Sequence, residues 1–554
     1  MPPSPPLSND KGDLPGLPVP SLDVTVSALS KSQRLVLSED DYVKSKSAID
    51  KFAEPDGIGH QLQARLLEYS KTTSNWLSDV WIDQQYLSLR IPLAPYTSYF
   101  GWHEIKGPLP TPSERAACIC VAALKFQQEV ENGTLENDLI RDAAADMNQY
   151  ENMFNACRIP QRPKDRLVRF DAKTHRYIAV VRQGHFFRLN YESDGKRLDK
   201  SQFKAAIDSV LELKLDPTAE IGVLTSSDRD TWADARGKLT GSSAEMKKSI
   251  EDIESSCFVL CLDAEKPKTS EELAAQIWYG NSGTNRWFDK PVQFVVTDAG
   301  SSGYVGEHSA VDGGPGLRLN EFVQAYIHEE SKKGESSTDG LEAYRKNVSS
   351  IPIAATEEIS ELVAGARSRF EAIINPEEIL SVTFDSYGES AISAGKRSAN
   401  TCVQLIMNLA AYRMYGELKP NYEPVSLASF ADGRWTSCSM VIDPVLKFCQ
   451  LADDPKASQA VRRDALDNAA FAHGKNVSIY ANGQENVEGH LLALKQMLKD
   501  NEEVPEVFKD PMHLKSQAWF LSASYLPSNH EHHFGFWQVI EDGVGVGTMI
   551  RSDR

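Results

Sequence analysis

The tightest constraint on this chain is the run from Val292 to Gly314. Val292 to Val296 is apolar and rich in β-branched residues, so it reads as a buried strand. Ala299-Gly300-Ser301-Ser302-Gly303 reads as a turn. Tyr304 to Glu307 then returns as a second strand and delivers His308 at its end. Leu319, Phe322, Val323, Tyr326 and Ile327 recur at helical spacing, so a helix follows. A histidine at a strand end beside a glycine-rich loop has room for a ligand. With an ordinary pKa of about 6.5, a neutral imidazole can take a proton from a hydroxyl or thiol near pH 7.

The rest of the chain sets bounds. At 554 residues it exceeds one ordinary core, and about two to four domain-sized units are expected. Hydrophobic residues at 41% and charged residues at 25% describe a soluble globular protein. A net charge of -19 argues against nucleic acid or an anionic membrane as partner. No apolar run is long enough to span a bilayer, and neither terminus carries a recognisable address, so the cytoplasm is the expected location. The chain has eight cysteines; Cys118, Cys120, Cys257 and Cys261 lie in apolar runs without ligands at zinc spacing and read as reduced core thiols. Asn529-His530-Glu531-His532-His533 has no partner cluster, so no metal is expected.

In chain order, residues 1–18 are rich in Pro, Ser, Gly and charge and are expected to be disordered. Helical patterns follow, as at Ile58 to Tyr69, and Arg115 to Val130 reads as a long amphipathic helix. Tyr177 to Val181 and His185 to Leu189 read as a hairpin around Arg182-Gln183-Gly184. Asp228 is placed to cap a helix that opens Arg229-Asp230-Thr231-Trp232. Phe258 to Asp263 reads as another buried strand.

Asn285-Arg286-Trp287-Phe288-Asp289-Lys290, Gln293 to Val296, Glu307-His308 and Asp312-Gly313 resemble the active-site region of the carnitine/choline acyltransferase family. His308-x-x-x-Asp312-Gly313 is also the HxxxDG signature of the wider chloramphenicol acetyltransferase-like superfamily. The resemblance extends along most of the chain, through Asn75-Trp76-Leu77, Trp81 and Tyr86 to Arg90, and later Ala411 to Gly416. It implies an α/β fold of two similar halves. Each half carries a mixed sheet with flanking helices, and the active-site channel runs between them. Mapped onto this chain, 19–74 are helices packing on the C-terminal half, 75–350 form the half with the catalytic histidine, and 351–554 form the half that binds donor and acceptor. The resemblance makes His308 the catalytic base, Asp312 its structural support and Ser524 the donor to the oxyanion. It implies no tightly bound cofactor, a phosphopantetheine or CoA thioester as co-substrate, and a monomer.

The departures from the family pattern concern specificity. The positions that carry coenzyme A-binding lysines in the family are Glu389 and Ser393 here, and its Asp is Asn400; Lys396 and Arg397 remain. A glutamate beside a phosphate turns attraction into repulsion. Either Lys396 and Arg397 compensate, or the donor lacks the 3'-phospho-ADP, as an acyl carrier protein of a polyketide synthase would. On the acceptor side Tyr422 matches, but the threonine that meets the carnitine carboxylate is Trp435, and the arginine that pairs with it is Gly489. Trp519 to Ser524 matches the serine-threonine-serine turn, with Ser522 facing the acceptor and Ala523 in place of threonine. A carboxylate without its ionic partner loses a bond of about 1.5–3 kcal/mol. A small alcohol or polyol is therefore expected rather than carnitine. The pattern is similar to divergent members associated with fungal polyketide biosynthesis.

Overall fold

The computed structural model describes residues 14–103, 105, 109–331, 340–528 and 532–554. Twelve strands make its two principal sheets. In chain order they are β1 (Ser98–His103), β2 (Tyr177–Arg182), β3 (His185–Asn190), β4 (Val259–Asp263), β5 (Val292–Thr297) and β6 (Ser302–Glu307). There follow β7 (Val348–Ile351), β8 (Asn421–Ser426), β9 (Trp435–Ser439), β10 (Leu521–Tyr525), β11 (His532–Phe536) and β12 (Val544–Thr548). The larger sheet runs β7-β3-β2-β4-β5-β6-β1-β11, with the β2-β4 and β4-β5 pairs parallel and the others antiparallel. The smaller runs β9-β8-β10-β12, with only β8-β9 antiparallel. Both sheets are mixed and helix-flanked, as the α/β expectation requires, but they are unequal, at eight strands and four.

The central strands of the larger sheet are buried on both faces, which is why they read as continuous apolar runs. Period-two alternation sends neighbouring side chains to opposite sides. Leu260 and Leu262 of β4 join the cluster under helix Pro112–Asn132, while Val259 and Cys261 join the one built around Trp232, Trp287 and Phe370. The expected β2-β3 hairpin closes through Gln183 and Gly184, both at positive φ (48° and 75°), the twist a two-residue hairpin loop prefers.

Packing runs across the expected boundaries of the two halves. Helix Glu357–Ile374, expected in the second half, buries Ile359, Val363, Ala366 and Phe370 against the first sheet. Trp76, Trp81 and Tyr86, expected in the first half, join Leu22, Phe52 and Leu62 of the N-terminal helices and Leu491 and Leu494 of helix Val487–Gln496. Thr25 Oγ1 lies 2.7 Å from His490 Nδ1, and Arg65 forks onto Glu502 at 2.5 and 2.6 Å. Of the disorder expected over residues 1–18, residues 1–13 lie outside the described residues. The rest is packed: Leu17 is buried, and the Pro18 carbonyl accepts from Trp76 Nε1 at 3.1 Å. Strand β11 leaves the second half to become the edge of the first sheet, paired with β1. Among the described residues no helix is long and apolar enough to cross a membrane.

Candidate active site

Strand β6 ends at Glu307, so His308 emerges where the sheet stops and helix Gly313–Glu330 has not yet begun. Asp312 is the residue before that helix, yet its carboxylate does not cap it. It is drawn instead to Arg434, which donates from Nε to Oδ2 at 2.7 Å and from Nη2 to Oδ1 at 2.6 Å. Arg434 also donates to the carbonyls of Ser309 (3.1 Å) and His308 (2.9 Å). One buried fork thus pins the whole 308–312 loop to the second half. Burial opposes ionisation of Asp312, but Arg434 and then His308 outweigh it and hold the carboxyl well below the usual carboxylate range.

His308 is partly open to solvent, at 26% side-chain exposure. Its Nδ1 lies 3.3 Å from Asp312 Oδ1 and 3.2 Å from the Tyr86 hydroxyl. An ionised carboxylate can only accept, so Nδ1 carries the proton and Nε2 is the basic nitrogen. The Tyr86 ring stacks on the imidazole (5.5 Å between centroids, 22°), and Tyr99 meets it edge-on at 5.2 Å. Burial pushes the Tyr86 phenol far above its ordinary value, so it stays protonated. Beneath the histidine, Glu307 accepts from Ser309 Oγ at 2.6 Å and Arg158 Nη1 at 3.2 Å, and Arg158 also donates to the Tyr86 carbonyl at 2.6 Å.

The sequence assigns Tyr86 no role at the site and names no partner for Asp312. The missed signal at Tyr86 is local: it sits in a π-helical turn, Asp83–Leu87, a distortion common at functional sites. Arg434 carried no such signal, because it lies 122 residues from Asp312.

On the acceptor side, Trp435 opens β9 directly after Arg434. Its Nε1 donates to the Tyr86 hydroxyl at 3.0 Å. Its ring lies 6.3 Å from that of His308, stacks on Tyr422 (6.2 Å, 18°) and meets Trp81 edge-on at 5.3 Å. Tyr422 faces Ser522 across the β8-β10 pair; burial pushes its phenol up to about 12, and a hydrogen bond with Ser522 moderates the shift. Gly489 is buried at the start of its helix, where its N–H donates to Asn486 Oδ1 at 2.9 Å. A Cβ there would lie 2.7 Å from Asn486 Oδ1 and 2.8 Å from Leu77, so the position presents nothing to a ligand.

Ser524 pairs with Gly547 in the β10-β12 ladder and is half-buried, and among the described residues its hydroxyl has no protein partner. Leu526, just beyond it, lies 3.6 Å from where a Cβ on Gly313 would stand, so the end of β10 meets the start of the helix beside Asp312. On the donor side, Glu389 and Ser393 lie exposed on the short helix Glu389–Ala394, and Lys396 is exposed at φ 57°. The Arg397 guanidinium pairs with Asp467 at the surface. Asn400 donates to the buried Glu423 at 3.0 Å. Backbone of residues 551–554 packs here unexpectedly. Glu389 N–H donates to the Arg551 carbonyl at 2.7 Å and Ser390 N–H to that of Ser552 at 3.0 Å. Asn529-His530-Glu531 lies outside the described residues, and among those described no three metal-ligating side chains converge.

The family model for choline/carnitine O-acyltransferases matches residues 17–554. Rat carnitine O-acetyltransferase is 30% identical, over 96% of this chain and 87% of that protein. The mitochondrial carnitine O-acetyltransferase of Saccharomyces cerevisiae is 29% identical, over 98% and 82%. Rat choline O-acetyltransferase is 29% identical, over 96% and 86%.

Proposed function

The chain belongs to the choline/carnitine O-acyltransferase family and is an acyltransferase. From that premise, we propose that it moves an acyl group from a phosphopantetheine thioester to the hydroxyl of a small acceptor other than carnitine. His308 Nε2 removes the hydroxyl proton as the oxygen attacks the thioester carbonyl. The Ser524 hydroxyl donates to the oxyanion of the tetrahedral intermediate. The C–S bond then breaks, and His308 returns the proton to the leaving thiolate. Asp312, ionised through Arg434, holds the Nδ1–H tautomer and balances the imidazolium that forms.

The observation that carries the choice of acceptor is Trp435. It is wedged among Tyr86, Trp81 and Tyr422. Gly489 is closed over by Asn486 and Leu77, and Arg434, over the Tyr86 ring, is committed to Asp312, so among the described residues this wall offers a carboxylate no uncommitted cation. For the donor, Glu389 and the neutralised Arg397 weaken a 3'-phosphate site, and exposed Leu380, Val382 and Phe384 just before it offer apolar surface to a carrier protein. A second reading, an acyl-CoA-dependent enzyme of the carnitine type, is favoured by the identity of the relatives and by Arg551, which lies against the same loop.

Thiol release from octanoyl-CoA and from an octanoyl carrier protein, each with carnitine or with sorbitol, separates the two. The proposal expects ester from the carrier-protein donor with sorbitol and no turnover with carnitine. Robust turnover of octanoyl-CoA with carnitine would overturn it in favour of the second reading.

A further inference from the structure

The imidazole of His308 lies against the Tyr86 ring, and three groups hold that tyrosine. Arg158 Nη2 donates to its carbonyl at 2.6 Å, and the Arg434 guanidinium stands over its ring, 5.4 Å from the centroid. Its hydroxyl, the end of the side chain farthest from the backbone, is tied by Trp435 Nε1 at 3.0 Å. The same oxygen lies 3.2 Å from His308 Nδ1. An indole N–H can only donate, so the Tyr86 oxygen accepts from Trp435. With Nδ1 protonated against Asp312, 3.3 Å away, that oxygen accepts from His308 as well. Two N–H groups converge on one phenol oxygen, and its own hydrogen is turned away from both. Burial keeps that hydrogen in place, because it pushes the phenol far above its ordinary value. The donor is firmly aimed: Trp81 meets the Trp435 ring edge-on at 5.3 Å and Tyr422 stacks on it at 6.2 Å. Both acceptors at Nδ1 are thus set by consecutive residues, Asp312 by Arg434 and Tyr86 by Trp435.

Resting on the reading of His308 as the base, we propose that Trp435 is a positioning residue for it as well as a wall of the acceptor site. Its indole N–H holds the Tyr86 oxygen in the accepting role, which keeps the ring proton on Nδ1 and leaves Nε2 bare. Without that N–H, the Tyr86 hydroxyl can pivot and donate to Nδ1. A ring nitrogen that accepts carries no proton, so in that arrangement the proton sits on Nε2 and the base is lost. Releasing the outer end of Tyr86 also loosens the face on which the imidazole stacks. Asp312 still faces Nδ1 and favours the original tautomer, so the loss is partial.

Trp435→Phe keeps an aromatic wall and removes the N–H. The His308 tautomer is read from the nitrogen chemical shifts of the full chain labelled with 15N-histidine, its signals assigned by their loss in His308→Ala. This readout needs no substrate. The parent is expected to carry the proton on Nδ1, and Trp435→Phe to show a mixture of the two tautomers. Transfer from an octanoyl carrier protein to sorbitol should fall about tenfold in kcat, with the KM for the donor unchanged. Tyr86→Phe deletes the hydroxyl that intrudes, so adding it to Trp435→Phe should restore the Nδ1 tautomer. An unchanged tautomer in Trp435→Phe, or a mixture that persists in the double variant, would overturn the assignment and leave Trp435 a packing residue. If the tautomers respond as expected but no ester forms, the positioning role stands and the transfer reading falls. A parent protonated on Nε2 would overturn both.

Discussion

Residues 308–312 are held by a buried arginine that makes four hydrogen bonds to them. Residues 388–397 are held at the surface, by backbone bonds from the end of the chain and by one partly exposed ion pair. In the first loop the Asp312 and Arg434 charges are largely out of water and must keep each other. In the second, solvent can replace any partner that is lost. The buried loop therefore tolerates little change without losing both fold and chemistry. The surface loop can exchange a lysine for Glu389 at small cost to stability. Identity of the reaction resides in the first, and choice of donor can drift in the second.

The contrast breaks first at His308. His308→Ala should lower transfer by at least about 10³-fold, within what a general acid–base group contributes, while the thermal midpoint stays within a few degrees of the parent. Full activity would sink the mechanism. Arg434→Met comes next, because it leaves the Asp312 carboxylate buried without its cation; about 3–5 kcal/mol of stability should be lost in urea unfolding. The pH dependence follows from the same pair. Asp312 is depressed in the folded state, so its stabilisation is fully present above its unfolded value of about 4 and is lost as pH falls below that. Asp312→Asn should flatten this part of the acid limb of the stability curve.

Smaller effects sharpen the comparison. Ser524→Ala should lower kcat by about 10²–10³-fold with little change in stability, since its hydroxyl is used only as charge develops. Lys396→Glu should be the mildest: a lost exposed charge contact is worth about 1 kcal/mol or less, so the KM for an acyl-CoA should rise about fivefold at most. The KM for a carrier-protein donor should not move. A change of a hundredfold at Lys396 would erase the distinction between the two loops.

The β5-β6 hairpin, the helix after it and the placement of His308 were legible because strand and helix periodicities are local. Asp312 was legible as a support for His308, but Arg434 was not, since no local pattern pairs residues 122 apart. Which sheet each helix near residues 75 and 351 covers was not legible for a related reason. The spacing of Ile359, Val363, Ala366 and Phe370 announces a helix with an apolar face but does not say which sheet that face covers. Gly489 was placed by register alone, and register does not reveal that Leu77 and Asn486 stand where a side chain would go.

Strand β11 has a mechanical consequence. The chain crosses from the smaller sheet to clasp the edge of the larger one, and five residue pairs from Tyr99↔Phe536 to His103↔His532 close that clasp. Separating the two sheets would require unzipping this ladder, which latches one to the other. A latched body also melts as one, with a single cooperative transition in place of two.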